Sequence, residues 1–229
     1  MTKESTIKAV VFDVDGVLIE YKPLLARSGT FVEGNSWYQL TKGLGCSLEE
    51  HIKLYKQGRA GELDWHQAER KLVAMYQASG NATRDFITKL CASHQLRPEA
   101  RNVIEYLKGK DYALCLISGS FDIHIEATAT LLRIEHWYAN AALVFDQTGN
   151  LEKIVYHGDQ NQVKVNQLKE FCQNAGISPT ECAFVGDSEN DIGVFQATGH
   201  GIAVHCDDEY LRGIAWKECK TLGEIKSIL

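Results

Sequence analysis

Two stretches of this chain, residues 7–12 (IKAVVF) and 112–117 (YALCLI), are nearly unbroken apolar runs rich in β-branched side chains. A strand with one wet face alternates apolar and polar positions, so unbroken runs belong to strands covered on both faces, as in a parallel sheet between helices. Residues 183–185 form a shorter run of the same kind. Between the runs the spacing turns helical. Pro98 stands at the expected first position of a helix reaching Leu107 and stopping at Gly109, and Val165, Leu168, Cys172 and Ala175 keep helical spacing before Gly176. Strands alternating with helices predict an α/β fold, a Rossmann-like parallel sheet core with helices on both faces.

From Tyr21 to about Gln95 the strand pattern disappears. Two capping-box patterns replace it, Ser47 with Glu50 and Asp64 with Gln67, and Trp65, Ala68, Leu72 and Met75 or Tyr76 form one apolar stripe suited to packing. The expected organisation is a catalytic core of residues 1–18 and 96–229 with a small inserted helical cap over residues 19–95. Within the core, residues 143–145 and 154–156 flank a turn with Gly149 and predict a hairpin, while residues 222–229 predict a closing helix. At 229 residues, 45% of them apolar, the chain can bury a core and carry an insertion.

Several classes of partner are excluded. The net charge of −6 comes with no Lys/Arg run, whereas a nucleic-acid partner leaves a basic footprint. No segment reaches the ~18 consecutive apolar residues of a membrane span, and residues 1–8 are too polar for a signal peptide, so the expected location is cytoplasmic. Seven cysteines without a CxxC read as reduced, mostly structural thiols, and eight histidines without ligand spacing predict no zinc site. Nothing in the sequence fixes the oligomeric state.

The chemistry gathers where strands end. FDVDGVL places Asp13, Asp15 and Gly16 just past the first apolar run, and ligands of open α/β sheets bind beyond the carboxyl ends of strands. Either aspartate alone could cap a turn, but two carboxylates this close repel unless a cation or proton compensates. A hard cation such as Mg²⁺ suits them. The second run ends in Ser118, Gly119 and Ser120 before a helical stretch at residues 122–132, offering a hydroxyl and free N–H groups as an anion cradle. Lys164, in the first turn of its expected helix, opposes the helix dipole and shares a stripe with Leu168 and Phe171. Its charge is therefore expected to serve an anion, so that replacing it costs turnover more than stability. FVGDSENDIG then supplies Asn190 and two further aspartates, Asp187 and Asp191, on a turn entering a helix. Acidic groups at two strand ends, with a lysine and a hydroxyl, match a metal-assisted phosphoryl site acting on a small phosphate ester.

In this order DVDGV, LISGS, the Lys164 helix and VGDSENDIG resemble the four motifs of haloacid dehalogenase-like hydrolases, especially the phosphoserine phosphatase-like branch. The resemblance implies a Mg²⁺-dependent phosphomonoester hydrolase working through an aspartyl-phosphate on a small phosphorylated metabolite. It makes Asp13 the nucleophile, while Asp15 protonates the leaving oxygen and then activates water. The implied metal ligands are Asp13, Asp187 and the backbone carbonyl of Asp15, with Asp191 and Asn190 behind them orienting the metal or Lys164. Ser118 and the Gly119 N–H would hold phosphoryl oxygens. The departures are local: Leu72 falls where phosphoserine phosphatases carry the arginine that grips the substrate carboxylate, with Arg70 a turn away. Glu20 is slightly out of register with their acidic residue, and Ser120 replaces a glycine common there. Phosphoserine is therefore not expected to be the preferred substrate. A phosphotransferase or mutase of the same superfamily would share the core. A receiver-like signalling module would share fold and ions but needs neither Asp15 nor an insertion. Asp15 also argues against a dehalogenase.

Overall fold

A computed structural model describes residues 7–25, 29, 31–32 and 34–229, leaving the first six residues of the polar amino-terminal stretch outside the described residues. The first apolar run forms β1 (Ala9–Phe12), wholly buried. Its side chains alternate between two cores: Val10 and Phe12 join Val103, Ile104 and Ile125 on one face, and Ala9 and Val11 join Leu168, Phe171 and Phe195 on the other. A strand covered twice has no polar face, hence the unbroken run.

After β1 come a short antiparallel pair, β2 (Leu24–Leu25) and β3 (Phe31–Val32), and four helices, α1 (Ser36–Gly43), α2 (Leu48–Arg59), α3 (Trp65–Ala78) and α4 (Arg84–Ala92). The β2–β3 pair is too short to leave a periodic signal in sequence. Ser47 caps α2, its side chain accepting from Glu50 N at 3.2 Å. Asp64 occupies the capping position of α3 but accepts no hydrogen bond through its side chain, so the second capping box does not form. The apolar stripe of α3 is buried at Ala68, Leu72 and Tyr76, while Trp65 remains 52% exposed at the helix start. With Leu40, Leu44, Val73 and Ile87 the stripe forms a cluster closed from below by Phe121, Leu143, Leu151 and Ile154 of the core.

The chain returns through α5 (Ala100–Gly109), which starts two residues beyond Pro98 with Glu99 at the cap, so Pro98 is not its first residue. Then follow β4 (Ala113–Phe121), α6 (Asp122–Leu132), β5 (His136–Phe145), β6 (Leu151–Tyr156), α7 (Gln160–Ala175), β7 (Cys182–Gly186), α8 (Ile192–Thr198), β8 (Gly201–Val204), α9 (Glu209–Ile214) and β9 (Lys217–Cys219). The expected hairpin is β5–β6. The closing segment, Leu222–Ser227, is a 3₁₀ helix.

The sheet order is β6-β5-β4-β1-β7-β8-β9, with β5–β6 antiparallel and every other pair parallel. From β1 the chain builds outward to one side and then returns to build the other. Connections therefore diverge at the carboxyl end of β1, leaving a crevice there. The pairing of β4 with β5 shifts register between Ser118 and Phe121, a bulge that bends the strand beside this crevice. The segments leading into and out of the insertion meet: Arg97 N donates to Leu18 O at 2.8 Å, and Ile19 bridges to Leu96. Arg97 also reaches back to Gly16 O through Nε at 3.2 Å and Nη2 at 2.8 Å. Among the described residues no helix is long and apolar enough to cross a membrane, and the seven cysteines are unpaired thiols.

Candidate active site

Asp13 follows β1 at the divergence point and is 3% exposed. Its Oδ1 accepts from Val14 N at 2.7 Å and its Oδ2 from Lys164 Nζ at 2.9 Å. Lys164 stands on α7, whose start is fixed by Asp159 accepting from Gln162 N. With the helix opening at Gln160, Lys164 lies in the second turn rather than the first, and it is wholly buried. Its ammonium donates in three directions, to Asp13, to Asn190 Oδ1 at 2.8 Å and to Asp191 Oδ1 at 2.6 Å. This uses all the donors a lysine has.

Beyond β7, Asp191 Oδ2 accepts from the amides of Asp187 at 3.0 Å and Ser188 at 3.4 Å, closing the turn into α8. Both oxygens of Asp191 are thus engaged. Asp187 is different: its Oδ1 is buried and has no hydrogen-bond partner among the described residues. Gly16 makes that placement possible. Its φ is +80°, and a Cβ there would lie 1.8 Å from Asp187 Oδ2, so a side chain at residue 16 would displace the carboxylate.

Carboxylate oxygens of Asp13, Asp187 and Asp191 lie within 4.8 Å of one another, with one ammonium among them. Burial raises the Asp13 pKa to about 6 against the pull of Lys164. Burial and then the charges of Asp13 and Asp191 raise Asp187 to about 8. Burial would lower Lys164, but Asp13 and Asp191 outweigh it and hold the lysine well above its ordinary pKa. Such a surplus of buried carboxylate is relieved by protons or by a hard cation. The unpartnered Asp187 oxygen, the glycine that admits it and the all-oxygen donor set fit a divalent cation such as Mg²⁺.

Asp15 is held by a different set of groups. Its Oδ1 accepts from Tyr21 OH at 3.1 Å and His124 Nε2 at 3.0 Å, and its Oδ2 from Ser36 N at 3.0 Å and Ser36 Oγ at 2.5 Å. Burial would raise its pKa, but the bonds from His124 and Ser36 more than offset that and hold it below the ordinary carboxylate value. Ser36 is the first residue of α1, so the amino-terminal end of a cap helix points its N–H at a core carboxylate. Ser36 Oγ also meets Ser120 Oγ at 2.6 Å.

Ser118, Gly119 and Ser120 lie within the bulged end of β4, and α6 starts only at Asp122, so they do not form a helix start. Ser118 is buried, and its Oγ accepts from Ser120 N at 3.4 Å. A Cβ on Gly119 would come within 2.8 Å of Gln160 Oε1, the atom that accepts from Asn190 Nδ2 at 3.1 Å. Hydrogen bonds therefore join Asp13, Lys164, Asn190 and Asp191, with Asp187 alongside. Among the described residues, Gly119 borders that bonded set through Gln160, and neither Ser118 nor Gly119 is hydrogen-bonded into it. The sequence reading missed Tyr21, Ser36, His94, His124 and Gln160. The only signal was a histidine inside the otherwise apolar start of α6; the others show no spacing that marks them.

A family model described as haloacid dehalogenase-like hydrolase matches residues 7–199. The phosphoserine phosphatase of Methanocaldococcus jannaschii is 25% identical over 205 residues, 87% of this chain and 86% of that protein. That of Lactococcus lactis is 28% identical over 198 residues, 85% and 82% of the two chains. Among solved structures, a substrate-bound phosphoserine phosphatase complex superposes with a TM-score of 0.72 at 22% identity, covering 99% of this chain and all of the other. A phospho-aspartyl intermediate analogue of phosphoserine phosphatase gives 0.71 at 22% identity, covering 98% and 99%. At these identities the superpositions speak to the fold.

Proposed function

The chain belongs to the haloacid dehalogenase-like hydrolases, and we propose that it is a Mg²⁺-dependent phosphatase that hydrolyses a small phosphate monoester through an aspartyl-phosphate on Asp13. The observation that carries the proposal is the buried bridge of Lys164 to Asp13 and Asp191 beside the unpartnered Asp187 oxygen. A structural ion pair would balance its charges; here carboxylates exceed cations at the end of the central strand.

In the first step an Asp13 oxygen attacks phosphorus, the bond from phosphorus to the ester oxygen breaks, and the departing alkoxide takes a proton from Asp15. In the second, water attacks the aspartyl-phosphate, gives its proton to Asp15, and releases inorganic phosphate from Asp13. Lys164 keeps Asp13 ionised and its oxygen aimed, and Ser118 Oγ with the Gly119 N–H would receive phosphoryl oxygens. Mg²⁺ would be held by Asp13, Asp187 and the Asp15 backbone carbonyl, and would supply charge neutralisation for the phosphoryl oxygens. Asp191, already committed to Lys164 and two amides, would act behind the ligands, as would Asn190.

Phosphoserine is not the preferred substrate in this proposal. Leu72 is 5% exposed and packed in the cap cluster with Leu40 and Tyr76, while Arg70 is exposed. Glu20 pairs with Arg97 at 3.3 Å and its side chain is 65% exposed. Loss of a charged carboxylate partner of ~1.5 to 3 kcal/mol corresponds to roughly 10- to 150-fold in kcat/KM.

The test is turnover of a panel of phosphate monoesters with and without Mg²⁺, measured as inorganic phosphate. Full activity in excess EDTA would sink the mechanism. Transfer of the phosphoryl group to a second alcohol instead of water would favour the phosphotransferase. Phosphoserine ranking first by a clear margin would overturn the part played by Leu72.

A further inference from the structure

Asp15 is held by groups that no motif contains. His124 has no exposed surface, and its ring packs within 5.0 Å of His94 and 5.7 Å of Phe121, centroid to centroid. Tyr21 closes a third side at 6.4 Å and is itself edge-on to His94 at 5.7 Å. Rings packed on several sides cannot swing without moving their neighbours.

Hydrogen bonds finish the placement. His124 Nε2 meets Asp15 Oδ1 at 3.0 Å, and because an ionised carboxylate only accepts, Nε2 carries the proton of that bond. The opposite ring nitrogen, Nδ1, meets His94 Nδ1 at 3.1 Å. A ring tied at both nitrogens has its plane fixed as well as its position. His94 Nε2 is buried with no partner among the described residues, so His94 is anchored through Nδ1 and by its contact with Tyr21. Asp15 Oδ1 receives Tyr21 and His124, and Oδ2 receives the Ser36 amide and hydroxyl, which together hold one rotamer.

We infer that His124, braced by His94 and assisted by Tyr21, is a positioning residue that fixes the direction of the Asp15 carboxylate for its part in the second half of the reaction. The inference rests on the acid-base part proposed above for Asp15. Four donors on one carboxylate hold its direction, and a base free to turn meets the attacking water less often. Loosening the clamp should therefore slow breakdown of the aspartyl-phosphate more than its formation, above all with a leaving group that needs no proton. A group that merely supported the fold would change the amount of active protein and leave the balance of the two steps alone.

The experiment is rapid-quench kinetics with p-nitrophenyl phosphate, whose phenolate leaves without an acid, in the presence of Mg²⁺. For His124→Leu the expected result is a burst of about one p-nitrophenol per active site, then steady turnover slowed by ~10²-fold with KM little changed. His124→Gln, which restores an N–H toward Asp15, should recover part of the rate. Tyr21→Phe removes one donor while keeping the ring, and should fold normally with a smaller loss of kcat. If His124→Leu does not fold, Tyr21→Phe and His124→Gln decide. Wild-type kcat in every folded variant, or a loss without a burst and without rescue by glutamine, overturns the inference. Asp13→Asn and Asp15→Asn serve as controls. Turnover surviving in Asp13→Asn refutes the mechanism itself, whereas loss in Asp15→Asn beside unaffected His124 and Tyr21 variants refutes the clamp alone.

Discussion

Two buried polar clusters, one at the end of β1 and one inside the cap, are built on opposite plans. In the cap, Thr41 Oγ1 donates to Trp37 O at 3.0 Å and meets Tyr76 OH at 2.8 Å and His51 Nδ1 at 2.5 Å. A hydroxyl that gives one hydrogen bond can accept two, so Thr41 is saturated, and burial pushes His51 down to about 4 and keeps it neutral. At the end of β1 the groups are charged, the signs do not balance, and an Asp187 oxygen has no partner among the described residues. In the cap, saturation leaves a cluster that serves the fold. Spare capacity marks one that awaits a cation and a substrate.

The contrast can be broken at several points. Asp13→Asn is expected to abolish turnover, by on the order of 10⁴-fold or more, without lowering the melting temperature, because it removes one carboxylate from a surplus. A large loss of stability in that variant would make Asp13 a structural residue like Thr41. Lys164→Ala should lose both activity and stability, the latter by ~3 to 5 kcal/mol, since it leaves buried carboxylates unpaired. The early-helix placement read from sequence predicted that stability would be spared; complete burial of Lys164 between Asp13 and Asp191 reverses that expectation. Denaturant melts of the variant decide between the two.

Smaller effects sharpen the comparison. Thr41→Val strands Tyr76 and His51 and should cost ~1 to 3 kcal/mol with kcat unchanged. The two clusters should also answer pH with opposite sign. Asp187 and Asp13 have folded pKa values raised above 3.8, to about 8 and about 6, so their folded state binds protons more tightly and metal-free stability is lost as pH rises through those values. His51 has a folded pKa lowered from 6.5 to about 4, so its contribution is present above 6.5 and lost as pH falls toward 4. Metal-free protein should therefore gain on the order of 1 kcal/mol between about pH 8 and 6.5, and Mg²⁺ or Asp187→Asn should flatten that slope. A slope untouched by either would remove Asp187 from the surplus. Smallest of all, Arg59→Ala breaks an exposed bridge from α2 to Glu189 and should leave the melting temperature where it is.

What the sequence made legible follows the same division. Asp13, Lys164, Asp187, Asn190 and Asp191 stand at strand ends and early in one helix, where the pattern of apolar runs fixes their place to within a residue or two. Tyr21, Ser36, His94 and His124 come from four separate elements or linkers and meet only after the cap has packed, so no local pattern announces them. The turn of α7 on which Lys164 stands was misjudged because Asp159, not a residue nearer the lysine, caps the helix. Asp64 shows the reverse case, a capping pattern in sequence whose side chain forms no such bond in the fold.

The pairing of Leu18 with Arg97 and of Ile19 with Leu96 has a consequence for the ancestry of the lid. Seen from the sheet, everything beyond that neck is a loop whose ends are already tied together. The entropy of closing a loop grows only with the logarithm of its length, so lengthening what lies outside the neck adds little closure cost to the strands inside it. The neck is therefore a seam inside which Asp13 and Lys164 stay put, but Tyr21, Ser36 and His94 lie beyond it, so any exchanged lid must bring its own hold on Asp15.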